Sequence, residues 1–139
     1  GYALTDTFTT KAFFHDFGVV LANGFSGLRQ DSGDPIAFGY KAIEHYKSLG
    51  IDPRLKYLIF SDSLTIATAV EIYLEFVGKI GVSFGIGTFL TNDVGIRAPN
   101  MVIKMTKAMG KPVIKISDSS GKVLGDQQTV EEFRKIYGF

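Results

Sequence analysis

The 139-residue sequence predicts an α/β fold with parallel strands, and three observations carry that expectation. A short apolar run, a cluster of Gly, Asp, Ser or Thr, and an amphipathic helical stretch follow one another three times. The helical stretches stop at Asn23-Gly24, Gly50 and Gly78, residue types that readily take the left-handed conformation closing a helix. Strand-loop-helix repetition of this kind implies right-handed crossovers, which set successive strands side by side and parallel.

The elements follow in order. Residues 2–4 form the first strand, the polar Thr5-Asp6-Thr7 its end, and residues 10–22 a helix whose apolar stripe is Phe13, Phe14, Phe17, Val20 and Leu21. Residues 25–28 are a second strand and residues 29–35 a polar loop. A helix over 36–49 follows, with Pro35 just before it and Asp34 as its N-cap. Residues 57–60 give the clearest strand, Ser61-Asp62-Ser63 its polar end, and residues 64–77 the next helix. A fourth strand over 80–84 runs into Gly85-Ile86-Gly87-Thr88, after which the irregular Thr91-Asn92-Asp93-Val94-Gly95 takes the place of a long helix. Residues 101–106 and 112–117 read as an antiparallel hairpin around Met109-Gly110-Lys111, and residues 129–137 as a short amphipathic helix.

Residues 1–139 show no compositional break and read as one globular unit. A complete eight-stranded barrel takes about 250 residues, so four parallel strands and a hairpin make either part of a barrel or a small open sheet. The pattern alone supports both equally. An opening Gly in place of Met fits a piece of something longer.

Composition narrows the function classes. Basic and acidic residues nearly balance at a net charge of +1, and the basic ones are spread along the chain, which gives no footprint for nucleic acid. No apolar run approaches the roughly 18 residues of a membrane span, and the first residues lack the basic lead of a signal peptide. The absence of cysteine excludes disulfides, thiolate metal sites and a Cys nucleophile, and suits a cytoplasmic protein.

In a parallel α/β architecture the polar clusters after strands share one rim, the C-terminal edge where ligands bind. Ser83-Phe84-Gly85-Ile86-Gly87-Thr88 puts two glycines and a hydroxyl at a strand end, where backbone N–H groups can converge on an anion and Thr88 can add a donor. It matches neither the dinucleotide fingerprint nor a P-loop, and a plain tight turn accounts for it as well. Arg29, Asp31, Ser32 and Asp34 crowd a cation, two carboxylates and a hydroxyl into one loop, a density suited to a sugar phosphate. Asp6 and Asp62 repeat the pattern at two more strand ends, although each also fits a helix cap. His15 and His45 lack a positioned partner and read as solvated or packed, and no His and acidic cluster has metal-site spacing.

These residues resemble the nicotinate phosphoribosyltransferase family. The resemblance is carried, in order, by Leu4-Thr5-Asp6-Thr7-Phe8-Thr9-Thr10, Arg29-Gln30-Asp31-Ser32-Gly33-Asp34-Pro35, Lys41-Ala42-Ile43 with Leu49-Gly50-Ile51-Asp52-Pro53, Ile59-Phe60-Ser61-Asp62, Ser83-Phe84-Gly85-Ile86-Gly87-Thr88, and Ile116-Ser117-Asp118-Ser119 with Gly121-Lys122. It aligns the chain with the C-terminal part of a much longer protein. The implied fold is an irregular type II phosphoribosyltransferase α/β barrel. The implied activity joins nicotinate to phosphoribosyl pyrophosphate, with ATP hydrolysis through a phosphohistidine and with Mg²⁺, in a homodimer.

The phosphohistidine of the family lies ahead of Gly1, so the resemblance implies that this chain needs the remainder of the barrel for catalysis. It also implies that Arg29 lies near the nicotinate ring and the pyrophosphate, that Asp31 accepts from ribose hydroxyls, and that Gly85, Gly87 and Thr88 hold the 5'-phosphate with Asp62 beside them. Asp6 joins them as a substrate-binding candidate at the first strand end. The chain departs from the family pattern at Ser63, commonly Gly, at Phe89, commonly Asn, and at Ser120, commonly Pro. The rival reading is a non-catalytic α/β module that holds a phosphosugar or nucleotide on the same rim.

Overall fold

Residues 1–99 and 101–138 are described by the computed structural model. Four parallel strands, β1 (Tyr2–Leu4), β2 (Gly27–Gln30), β3 (Tyr57–Phe60) and β4 (Gly81–Phe84), lie in the order β1-β2-β3-β4. Every crossover therefore lands on the immediate neighbour. In register, Leu28 pairs with Leu58 and Leu58 with Val82, while Gln30, Phe60 and Phe84 share the last rung. Strand ends at the same height make one rim.

The helices in chain order are α1 (Thr10–Asp16), α2 (Val19–Gly24), α3 (Pro35–Ser48), α4 (Ile66–Phe76), α5 (Thr88–Thr91) and α6 (Gln127–Tyr137). Asp34 caps α3 as expected, its Oδ1 accepting from the Ala37 N–H at 2.7 Å. Thr65 and Thr68 form a reciprocal box at the start of α4. The core lies between the sheet and these helices. Leu28, Leu58, Phe60, Ala42, Tyr46 and Phe76 are fully buried, and the Phe60 ring stacks on Phe76 at 5.9 Å and on Phe84 at 6.1 Å. α3 comes close to α4 at Gly39, where a Cβ would stand 2.2 Å from the Phe76 ring.

Three sequence expectations need correction. The helix expected over 10–22 is two helices, because Phe17 and Gly18 leave the helical region, with ψ at 69° and 179°. The break divides the apolar stripe: Phe14 and Phe17 are buried, whereas Val20 is 81% exposed. The second strand lies two residues later than expected, so Arg29 and Gln30 are strand residues paired with Ile59 and Phe60. The hairpin expected from 101–106 and 112–117 contracts to β5 (Lys107–Ala108) against β6 (Lys111–Pro112). Its turn is tight, with positive φ at Met109 and Gly110. The longer strands do not form: Met101 and Ile103 are 86% and 95% exposed, so no covered face drives the pairing.

No helix among the described residues is long and apolar enough to cross a membrane.

Candidate functional site

The rim gathers most of the expected residues through a set of side-chain bonds. At the end of β2, the Arg29 Nε donates to Ser61 Oγ at 3.0 Å, and an Arg29 terminal nitrogen lies 3.5 Å from Asp31 Oδ1. Ser61, just past β3, is placed to donate either to the Gln30 carbonyl at 2.9 Å or to Asp31 Oδ1 at 3.2 Å. A serine on one strand end thus ties together the cation and the carboxylate of the next. Arg29 keeps half its side chain in solvent.

Asp62 belongs to the same group through a residue that local sequence reasoning missed. The Lys122 ammonium is 2.9 Å from Asp62 Oδ1 and also donates to the Asp31 carbonyl. Lys122 ends a 3-10 turn, Ser120–Lys122, far along the chain. The segment that delivers it crosses the rim as a strap. Along it, the Ile116 N–H donates to the Thr7 carbonyl at 2.7 Å, and Asp118 accepts from the Thr10 backbone and hydroxyl at the start of α1.

Asp6 is the anchor of that strap. Its side chain is 1% exposed, and its Oδ2 accepts from Ser32 Oγ at 2.8 Å and Ser117 Oγ at 2.9 Å while Lys115 Nζ stands 3.1 Å away. Burial raises the Asp6 carboxyl, but the hydrogen bonds from Ser32, Lys115 and Ser117, together with the Lys115 charge, outweigh it and leave the group below the ordinary carboxylate value. Asp6 therefore lies beneath the open rim and is held ionised there.

Gly85, Gly87 and Thr88 stand at the end of β4, exposed, next to the β3 end. The Gly85 N–H donates to the Phe60 carbonyl at 2.8 Å, and a Cβ on Gly85 would sit 3.2 Å from the Ser61 Cβ. Gly87 is the N-cap of the single-turn α5 with φ −92°, and a Cβ there would meet nothing within 4 Å. Gly87 therefore does not rely on a left-handed backbone conformation. Thr88, Phe89 and Ser63 border a cavity of about 710 Å³ that Asp93 and Arg97 also line.

Ser63 explains itself by its backbone. Its φ of 53° lies in the left-handed region, which glycine enters freely and serine does not, and its hydroxyl donates to Asp62 Oδ1 at 3.2 Å. The histidines stay outside the rim. His45 donates from Nε2 to the Phe17 carbonyl at 2.8 Å, and His15 sits 2.8 Å from Asp16 in solvent. Among the described residues no group of three or more His, Cys, Asp or Glu could hold a metal ion.

Comparison with known proteins gives the chain a family context. A family model described as "Nicotinate phosphoribosyltransferase (NAPRTase) family" matches residues 1–139. The nicotinate phosphoribosyltransferases of Salmonella paratyphi B and Shigella boydii are 50% and 51% identical over 139 residues, covering 99% of this chain. The crystal structure of nicotinate phosphoribosyltransferase from Vibrio cholerae superposes with a TM-score of 0.96 at 42% identity over 99% of this chain. The one from Porphyromonas gingivalis does so with 0.94 at 42% over 100%. The chain spans 35% of the length of these curated relatives, and 35% and 38% of the two crystal chains.

Proposed function

Because this chain belongs to the nicotinate phosphoribosyltransferase family, we propose that it is part of an enzyme that makes nicotinate mononucleotide and pyrophosphate from nicotinate and phosphoribosyl pyrophosphate. The observation that carries the reading is the Arg29, Ser61 and Asp31 linkage, which fixes a cation and a carboxylate side by side on an open rim. Loss of pyrophosphate from the anomeric carbon builds positive charge on the ribose and negative charge on the leaving group. Groups held in place before the reaction stabilise both without reorganising.

In this reading Asp31 accepts from the ribose hydroxyls, and Arg29 meets the pyrophosphate beside the nicotinate ring. Gly85, Gly87 and Thr88 hold the 5'-phosphate end, and Asp62 flanks them. Asp6 acts from below, as the buried anchor of the strap. The strand order without reversal suits an arc of a type II barrel better than a doubly wound sheet, whose ligand site needs a switch in strand order. The remaining strands then come from the rest of a longer cytoplasmic chain, which works as a homodimer. Coverage of 35% of the relatives favours this over a stand-alone phosphosugar-binding module.

ATP and Mg²⁺ are implied by the family. The described residues do not fit a resident metal: Asp62 is engaged by Lys122 and Asp31 by Arg29 and Ser61, so Mg²⁺ is expected to arrive on the phosphates of the substrate. The contacts of His15 and His45 do not suit a phosphorylated histidine, and that role is assigned to the rest of the chain. The decisive test is Asp31→Ala in the full-length protein. Loss of the ribose contact should lower kcat/KM by a few kcal/mol in transition-state terms, about a hundredfold or more. Wild-type kinetics in that variant would remove this rim as the ribose site.

A further inference from the structure

We propose that Lys122 is a positioning residue that keeps the rim electrically neutral before a polyanionic substrate arrives, a proposal that rests on the phosphoribosyl-transfer reading above. The paired charges at the ends of β2 and β3 are Arg29 and Lys122 against Asp31 and Asp62, two of each sign, and both pairings are direct. Phosphoribosyl pyrophosphate carries several negative charges. A carboxylate left without a counter-charge at the edge of its site repels it, because unit charges act over several ångströms where solvent is partly displaced.

Asp62 is the half-buried liability. It stands two residues past β3, next to the Ser61 that Gly85 approaches, and its Oδ1 receives Lys122 at 2.9 Å and Ser63 at 3.2 Å. Lys122 also fixes the Asp31 carbonyl, so one ammonium joins the ends of β2 and β3. The strap holds the lysine in reach: Lys115, Ser117 and Asp118 are each bonded to the β1 end or to α1. Lys122 thus acts on the substrate through Asp62 and Asp31. Its worth lies in the charge it cancels.

The experiment uses the full-length protein and phosphoribosyl pyrophosphate in a constant magnesium buffer, with binding read by calorimetry beside KM and kcat. Lys122→Met should raise both Kd and KM for phosphoribosyl pyrophosphate roughly tenfold. KM for nicotinate and kcat should change little, and the penalty should shrink in high salt. Lys122→Arg should restore affinity. The double variant Lys122→Met with Asp62→Asn, neutral again, should also recover most of it. Asp62→Asn alone should bind at least as tightly as wild type, a readout that holds even where Lys122→Met fails to fold. A double variant no better than Lys122→Met, or weaker binding by Asp62→Asn alone, overturns the proposal. Wild-type protein that does not bind phosphoribosyl pyrophosphate instead sinks the reading of the rim itself.

Discussion

The Lys115 ammonium lies 3.1 Å from the Asp6 carboxylate, inside a side-chain cage completed by the hydroxyls of Ser32 and Ser117. This contact joins the end of β1 to the strap that crosses the rim, and it holds a nearly fully buried charge in its ionised form. A charge in that position depends on its partners, since removing one leaves the other desolvated and uncompensated.

Lys115→Met should therefore destabilise the protein by about 3 kcal/mol, and acid should do the same by another route. The folded Asp6 carboxyl is lowered, burial notwithstanding, by Ser32, Lys115 and Ser117. Its contribution is fully present above the ordinary value of 3.8 and drains away as pH falls through the lower folded value. Melting temperatures measured from about pH 5 down to about pH 2 should fall more steeply in wild type than in Asp6→Asn. Parallel curves would clear Asp6 of the acid sensitivity.

Gly85→Ala should impair the rim more than the fold. The added Cβ would stand 3.2 Å from the Ser61 Cβ, closer than side chains normally pack, and Ser61 is the residue that holds Arg29 and Asp31 together. Ser61 has to yield by a few tenths of an ångström, which misaligns its hydroxyl. On the proposed function, turnover of the full-length protein with phosphoribosyl pyrophosphate should drop by about tenfold or more, with a melting temperature within a few degrees of wild type. An Ala variant with unaltered kinetics would show that the Ser61 linkage has slack.

Position 63 separates backbone conformation from chemistry. Ser63 sits at φ 53°, so Ser63→Gly relieves about 1 kcal/mol of strain while losing some of it again to unfolded-chain entropy. Ser63→Val should destabilise by about 1 to 2 kcal/mol more, because a branched Cβ tolerates this conformation least. Chemical denaturation of the three proteins orders them as Gly at or above Ser, then Val. Any other order would mean that the Asp62 hydrogen bond, and not φ, governs this position.

Tyr46 sets the alkaline limit. Burial pushes its hydroxyl up to about 12, and among the described residues that hydroxyl has no hydrogen-bond partner. A raised value means stability that is complete below the unfolded value of about 10 and lost as pH rises through about 12. Tyr46→Phe keeps the ring and removes the orphaned group, so it should match or exceed wild type at neutral pH by up to about 1 kcal/mol. It should also resist alkali better. A clear loss at neutral pH would reveal a partner for the hydroxyl.

Much of the architecture was legible because it is written locally. Apolar tetrads such as Tyr57 to Phe60, each followed by a polar cluster and then a capped helix, announce strand, rim and crossover within a few residues, and Asp34 capped α3 where its position implied. Arg29, Asp31, Asp62 and the Gly85 loop could be assigned to one rim for the same reason. Local pattern failed where backbone pairing continued through polar residues, as at Arg29 and Gln30, and where Phe17 and Gly18 broke a helix whose apolar spacing ran on. It also could not see Lys115 and Lys122. Their carboxylate partners, Asp6 and Asp62, lie 109 and 60 residues away, and a lone lysine in a loop carries no local sign of the carboxylate it will meet.

The strap also sets a schedule for synthesis. The contacts of Ser117 with Asp6 and of Lys122 with Asp31 span 111 and 91 residues. At roughly 5 to 20 residues per second, translation leaves Asp6 waiting on the order of 5 to 20 s for its cage. Until then a carboxylate destined for the interior stays hydrated, and the first strands have reason to remain loosely associated. The ribosome therefore finishes these four strands before it finishes the rim, and a nascent chain stalled before Lys115 should be unable to assemble that rim however well its helices have formed.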